Sequence, residues 1–278
     1  MSDALPLAET PAAPPPRRDY VVDQGWAAYD GAQHDVWRRL FERQSRLLPD
    51  RVCPQYLEGL ARLGLNADGI PEFDRLNDIL DRATGWRLVA VPGLVPDDVF
   101  FHHLAARRFP ATNWIRPPEQ LDYLQEPDLF HDVFGHVPML MHPVFADYLQ
   151  AYGKGGLKAL NLGALDKLSR LYWYSVEFGL LQLPEGLRIY GSGIVSSYGE
   201  TLYCLENQRP LRIAFDVLRV MRTRYRIDDY QETYFVIDSF EQLFEATRPD
   251  FTAHYRLLTH AADIRPGELL PGDRGVAA

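Results

Sequence analysis

Two histidines five residues apart, His131 and His136, stand in the stretch "PDLFHDVFGHVP" over residues 127–138. Neutral imidazole is a common ligand for divalent metals, so a pair this close reads first as half of a metal site. On a regular α-helix five positions amount to about 140° of rotation, which puts the two rings on different faces. For both to reach one ion, the chain must start or distort a helix between them. Gly135 tolerates unusual dihedrals and Pro138 removes an amide donor, so the local residues permit that distortion. The spacing differs from HExxH, whose four-residue step and internal Glu serve a hydrolytic zinc centre.

A divalent ion on two neutral imidazoles wants an anionic third ligand, and the candidate should look out of place. Glu177 does, as the only carboxylate in "LYWYSVEFGLL". An ionised Glu in such surroundings is rare unless it is paired or bound to metal. Two His and one carboxylate with positions left open is the pattern of non-haem Fe(II) centres that activate dioxygen. A His2Glu zinc hydrolase uses the same donors with one position kept for water, and the residues by themselves leave both chemistries open.

The elements that must carry these side chains are mostly helical. Val36, Trp37, Leu40, Phe41, Leu47 and Leu48 recur at three- and four-residue steps, the stripe of a helix packed on one side. Pro54 opens a second helix through Tyr56, Leu57, Leu60 and Leu63. Phe73, Leu76, Ile79 and Leu80 mark a third that stops near Gly85, and Pro96 opens a fourth through Phe100, Phe101 and Leu104. The apolar run from Leu165 to Gln182 predicts one long buried helix with Glu177 inside it. Strands are expected only at 86–91, 187–190 and 233–238, and Ser239 to Gln242 reads as a capping box. The fold expected is mostly α with minor β.

A single catalytic domain is expected over residues 19–262, after a flexible Pro/Ala-rich tail at 1–18 and before a loosely ordered segment at 263–278. The net charge of -9 argues against a nucleic-acid or anionic-membrane surface and leaves small molecules as the expected partners. Cys53 and Cys204 form no CxxC, which suits a reducing compartment. With no signal-peptide pattern and no apolar run of about eighteen residues, a soluble cytoplasmic protein is expected.

"PDLFHDVFGHVP", "LYWYSVEFGL" and "YGSGIVSSYGETLYCL" stand in the order and at the separations that resemble the tetrahydropterin-dependent aromatic amino acid hydroxylases. The likeness runs from near Tyr20 to near Glu245. It is closest to the short bacterial members that hydroxylate phenylalanine. The chain has no room for the N-terminal regulatory domain of animal members and no C-terminal heptad for tetramers, so a monomer is expected.

The resemblance implies that His131, His136 and Glu177 bind Fe(II), that a tetrahydropterin supplies two electrons, and that L-phenylalanine and dioxygen give L-tyrosine. By position, Gly93, Leu94 and Val95 would offer backbone partners to the pterin and Phe100 would stack on it. Asp132 would lie near it, at a place where animal members carry Glu. Arg116 would pair with the amino acid's carboxylate. Pro127, Trp173 and the ring of His131 would wall the aromatic pocket, with Ser196 near the substrate's polar end and Glu200 supporting the site through hydrogen bonds. Leu124 replaces a threonine of the animal enzymes, Tyr123 and Tyr172 fit tyrosines near the site, and Val236 bears on specificity. The other six histidines match no ligand position. Hydroxylation of tyrosine or tryptophan is the nearest alternative within the family, and a zinc hydrolase the alternative outside it.

Overall fold

A computed structural model describes residues 18–122 and 126–277. The tail expected at 1–18 lies, apart from Arg18, outside the described residues. The first apolar stripe forms α1 (Gly31–Leu47), which buries Val36, Trp37, Leu40 and Phe41. Asp30 and Gln33 close a reciprocal capping box at its start. Pro54 sits in the first turn of α2 (Pro54–Arg62). The next helix, α3 (Phe73–Thr84), stops as expected at Gly85, where φ is 72°. A parallel pair then encloses a helix: β1 (Arg87–Val91), α4 (Asp97–Ala105) and β2 (Arg108–Thr112).

A widened helical turn over His131–His136 leads into α5 (Val137–Leu140) and α6 (Pro143–Asn161). Next come α7 (Leu165–Tyr172) and a second widened turn, Trp173–Glu177. The rest of the chain is β3 (Leu180–Leu183), β4 (Gly186–Ile189), α8 (Ser192–Val195), α9 (Tyr198–Glu206), β5 (Leu211–Ala214), α10 (Val217–Arg222), β6 (Thr233–Ile237), α11 (Phe240–Thr247) and α12 (Thr252–His260). The larger sheet has the order β4-β3-β6-β5, with β3 and β4 antiparallel and the other pairs parallel. The fold is mostly helical with a minor sheet, as expected. Among the described residues no helix is long and apolar enough to cross a membrane.

The structure corrects four expectations. The long helix predicted over 165–182 ends at Glu177, because the residues after it gain ladder bonds as β3 between β4 and β6. Strands β2, β3 and β5 carry no alternating pattern that would reveal them, being short and, for β2, interrupted by Pro110. The box at Ser239 is half formed: Ser239 accepts from Gln242 N at 3.0 Å, but the Gln242 side chain turns to Asp238 N instead. The segment expected to be loose beyond residue 262 docks instead. Ile264 N donates to Arg222 O at 2.8 Å, Val276 N donates to Arg212 O at 2.8 Å, and Ala214 N donates to Arg274 O at 2.9 Å. Buried Arg219 pairs with Asp273 at 2.9 Å. The C-terminal chain thus covers the open edge of β5, where backbone groups would otherwise lack partners.

Helix α2 supports the turn that bears the histidines. Tyr56, fully buried, donates its hydroxyl to Phe134 O at 2.7 Å. One turn on, a Cβ at Gly59 would stand 2.0 Å from Pro138 O, so only glycine allows α2 to approach α5 this closely. Gly59→Ala is expected to destabilise the fold by about 1–3 kcal/mol through overpacking against backbone. Gly31→Ala, with nothing within 4 Å of the added methyl, should cost nothing measurable. Thermal melts of the two variants check this, and equal midpoints would remove the close approach as a constraint.

Candidate active site

The widened turns solve the spacing problem. Bonds that close over five residues instead of four bring side chains five apart onto one side of the chain, which a regular helix cannot do. Across the first turn, His131 and His136 bring their Nε2 atoms to 3.2 Å. In the second, Phe178 N donates to Trp173 O at 2.8 Å, a five-residue closure just after Glu177. Glu177 Oε1 lies 3.2 Å from His136 Nε2, and Oε2 lies 3.6 Å from His131 Nε2. Metal–ligand bonds of about 2.0–2.1 Å at right to tetrahedral angles put neighbouring donors roughly 2.8–3.4 Å apart. The two 3.2 Å separations fall in that range and the 3.6 Å one just beyond it, so the two imidazole nitrogens and the carboxylate surround a space of the size of one small divalent ion. Among the described residues, no other group of three or more His, Cys, Asp or Glu is disposed to hold an ion.

One helical turn orients two of these ligands. Ser196 Oγ donates to Ser192 O at 2.8 Å, so at 2.9 Å from His131 Nδ1 it is left to accept. That assigns the imidazole proton to Nδ1 and leaves the Nε2 lone pair facing Glu177 and His136. From the other end of α8, Ser192 Oγ donates to Glu177 Oε2 at 2.9 Å. The fit is tight: a Cβ at Gly191 would lie 2.4 Å from Glu177 O. Burial, opposed by Glu177 and assisted by His136, holds the His131 imidazole down to about 4. Burial by itself raises Glu177, but His136 and His131 outweigh it and bring the carboxyl down to about 2. The site therefore presents a neutral His131 and an ionised carboxylate, the forms that bind metal.

The remaining residues singled out in the sequence fall into three groups around this centre. Arg116 is buried and gripped by Asp128: Nε and Nη2 each donate to a carboxylate oxygen at 2.8 Å. Asp128 also accepts from Arg116 N at 2.9 Å and His131 N at 3.0 Å, tying the arginine to the first ligand. Of five guanidinium donors two are spent on Asp128 and one makes a long contact to Leu121 O, leaving two. Pro127 is half-buried just before this pair. Tyr123 and Leu124 lie outside the described residues.

On the other side, Gly93, Leu94 and Val95 form the loop between β1 and α4, with Leu94 70% exposed and open space beside Gly93. Phe100 is half-buried and meets Tyr172 edge to face at 5.8 Å, and Tyr172 stacks at 6.3 Å on His136. Buried Asp132 accepts from Thr112 N at 2.7 Å, which anchors the turn to β2, and burial pushes its carboxyl up to about 7. The third group surrounds Trp173, whose ring stacks on Tyr225 at 4.2 Å and lies 4.8 Å from Phe178. Its indole N–H donates to Gln231 Oε1 at 2.9 Å. Glu200 meets Gln231 N and Tyr234, not a metal ligand, and Val236 is buried in the sheet.

Three working residues escaped the sequence reading. Asp128 had a signal, standing three positions before His131 where a cap belongs. Ser192 had a weaker one, four residues before Ser196 and so on the same helical face. Gln231 had none, since its partner is 58 residues away. Of the remaining histidines, His34 accepts from Ile70 N, and His142 accepts from Phe145 N at the start of α6.

Residues 25–259 match the family model described as biopterin-dependent aromatic amino acid hydroxylase. The chain is 63% identical over 257 residues to a phenylalanine-4-hydroxylase of Ralstonia nicotianae, covering 92% of this chain and 82% of that one. It is 58% identical over 255 residues to the enzyme of that name from Chromobacterium violaceum, covering 92% and 86%. A crystal structure of the C. violaceum phenylalanine hydroxylase with iron and phenylalanine bound matches with a TM-score of 0.90 at 56% identity, over 93% of this chain and 94% of that one. These matches select the iron-centred reading of the donor set over the zinc hydrolase. With its motifs in register, its widened turns converging on one donor set and its likeness extending over nearly the whole chain, the protein belongs to the biopterin-dependent aromatic amino acid hydroxylases.

Proposed function

We propose that this protein hydroxylates L-phenylalanine to L-tyrosine, using dioxygen and a tetrahydropterin, at an Fe(II) ion held by His131, His136 and Glu177. The observation that carries the reading is the convergence of two imidazole nitrogens and one carboxylate at 3.2–3.6 Å in a chain of this family. Iron bound there supplies the centre at which dioxygen is activated with electrons from the pterin. His131 offers Nε2 because its other nitrogen is committed to Ser196, and Glu177 offsets the ion's charge while Ser192 holds its outer oxygen.

Arg116 turns its two uncommitted donors to the amino acid's carboxylate, and the Asp128 grip fixes the direction of that fork. Pro127, Trp173 and the ring of His131 wall the pocket for the aromatic ring. Ser196, its hydroxyl already shared between His131 and Ser192, serves substrate chiefly through the ligand it orients. The backbone of the loop Gly93, Leu94 and Val95 holds the pterin with Phe100. Asp132, with one oxygen taken by Thr112 N, contacts the pterin through the other or through a bridging water. The names of the relatives favour phenylalanine over tyrosine or tryptophan. The protein acts as a cytoplasmic monomer on small molecules, a reading that the free, buried Cys53 and Cys204 and the charge of -9 support.

Metal-stripped protein reloaded with Fe(II) is expected to form tyrosine from an equal mixture of phenylalanine, tyrosine and tryptophan only when pterin and dioxygen are both present, with products read by mass spectrometry. A different hydroxylated ring as main product would change the substrate, and no hydroxylation with iron demonstrably rebound would end the proposal. Glu177→Ala should abolish both iron retention and turnover. Ser196→Ala should weaken iron binding about 10–100-fold while the circular dichroism stays that of the parent, since the variant loses the partner that orients His131 and, besides it, one bond to Ser192 O within the same turn. Unchanged affinity would remove that role.

Acid should protonate His131 late. A folded-state value of about 4 keeps the His131 imidazole neutral, and able to bind, below its ordinary range. The ring signals of His131 in metal-free protein, followed by nuclear magnetic resonance, should titrate near 4; a midpoint near the ordinary imidazole value of about 6.5 would contradict the burial argument.

A further inference from the structure

Trp173 is held by more than packing. An indole N–H only donates, so the atom facing it must be an acceptor, and this orients the Gln231 amide with its oxygen on Trp173 and its nitrogen away. The Gln231 nitrogen in turn donates to Arg226 O at 2.8 Å. Its backbone N–H donates to Glu200 Oε1 at 3.2 Å, the same oxygen that receives the Tyr234 hydroxyl. Gln231 is 3% exposed, so its amide is desolvated and each of these bonds counts. Trp26 and Trp37 donate to the backbone carbonyls of Ile70 and Asn66, whereas Trp173 donates to a side chain, itself fixed on several sides.

We propose that Gln231, together with Tyr225, positions Trp173 and thereby sets the wall against which the substrate's aromatic ring rests. Tyr225 fixes the tilt of the indole by stacking on it with planes only 15° apart, and Gln231 fixes its rotation within that plane by holding one edge. The parts of the indole not so engaged are what it can offer to a ligand. Glu200 links this clamp to the metal side, because it lies on α9 one turn beyond Ser196, which orients His131. Pocket wall and ligand are thus braced from one stretch of chain. Gln231 and Tyr225 touch no reacting atom in this scheme and act only through Trp173. The inference rests on the assignment of Trp173 to the substrate pocket.

The test is a double-mutant cycle read by equilibrium binding as well as by turnover. Phenylalanine binding to the iron-loaded full chain without dioxygen is measured by calorimetry for the parent, Gln231→Leu, Trp173→Phe and the double variant. Steady-state rates and tyrosine formed per pterin oxidised are measured with oxygen. Gln231→Leu is expected to weaken phenylalanine binding about tenfold and to raise KM in parallel, with kcat changed less than about threefold. In the Trp173→Phe background, which lacks the N–H, the same substitution should change binding less than about twofold. Tyr225→Leu, the second probe, should weaken phenylalanine binding in the same direction whether or not Gln231→Leu folds.

Unchanged phenylalanine affinity in Gln231→Leu, or in Tyr225→Leu if the former does not fold, would overturn the inference. So would a Gln231→Leu effect that persists undiminished without the indole. A parent protein that binds phenylalanine but forms no tyrosine would sink the proposed function, while the binding cycle would still decide the role of Gln231.

Discussion

A carboxylate largely withdrawn from water against two imidazoles is expensive unless a cation joins them, and much of the structure exists to hold that arrangement in place. Removing an ionised carboxylate from water costs several kcal/mol by order of magnitude, which only close charge and hydrogen-bond partners offset. Glu177 accepts from the Ser192 hydroxyl and otherwise faces the Nε2 edges of His136 and His131. His131 in turn is kept neutral by burial and turned by Ser196 so that its free nitrogen faces inward. Without a positive charge at the centre, two lone-pair donors and an anion would face one another at little more than 3 Å.

Bringing these donors together demands backbone that a regular helix does not provide. Both ligand-bearing segments are widened turns, a geometry found disproportionately at functional sites because it is less stable than the α-helix it interrupts. Each is braced from outside. The first is tied to β2 through Asp132 and Thr112 N, to the Arg116 loop through Asp128, and to α2 through Tyr56. Its far side is packed in aromatic rings, with Phe130 and Phe134 stacked at 4.7 Å and Trp37 and Tyr56 against their edges. The second turn is closed off by the start of β3 and pressed by the entry to α8, where Gly191 lets the two backbones meet.

The same economy governs substrate recognition. Asp128 spends one carboxylate on an arginine fork and on the amide of the first ligand, so the group proposed to read the amino acid's charge moves with the metal site rather than independently of it. Helix α9 begins beside Ser196 and carries Glu200, whose reach to Gln231 ties the aromatic wall to the same frame. Chemistry that must place a ring within bonding distance of a reactive centre needs this kind of shared reference, because small misplacements cost large factors in rate.

The class of the fold, four of its helix starts and stops, and the three donor side chains that converge were legible in the sequence, because each is written in local signals. Apolar periodicity, a proline at a first turn, a left-handed glycine and a lone carboxylate in an aromatic run act over a few residues. What it could not determine were the contacts that give those donors direction. The end of the helix at Glu177 was hidden because part of the ladder that replaces it runs to β6, where Leu180 faces Val236. Nothing in the C-terminal segment announces that it will cover β5, since the open edge belongs to another part of the chain. Nothing beside Arg116 shows that Asp128, twelve residues on, takes two donors of its guanidinium, and nothing beside Ser196 shows that its hydroxyl is shared between Ser192 and His131. Hydrogen-bond direction depends on which atoms meet in space, and only the tertiary structure decided that.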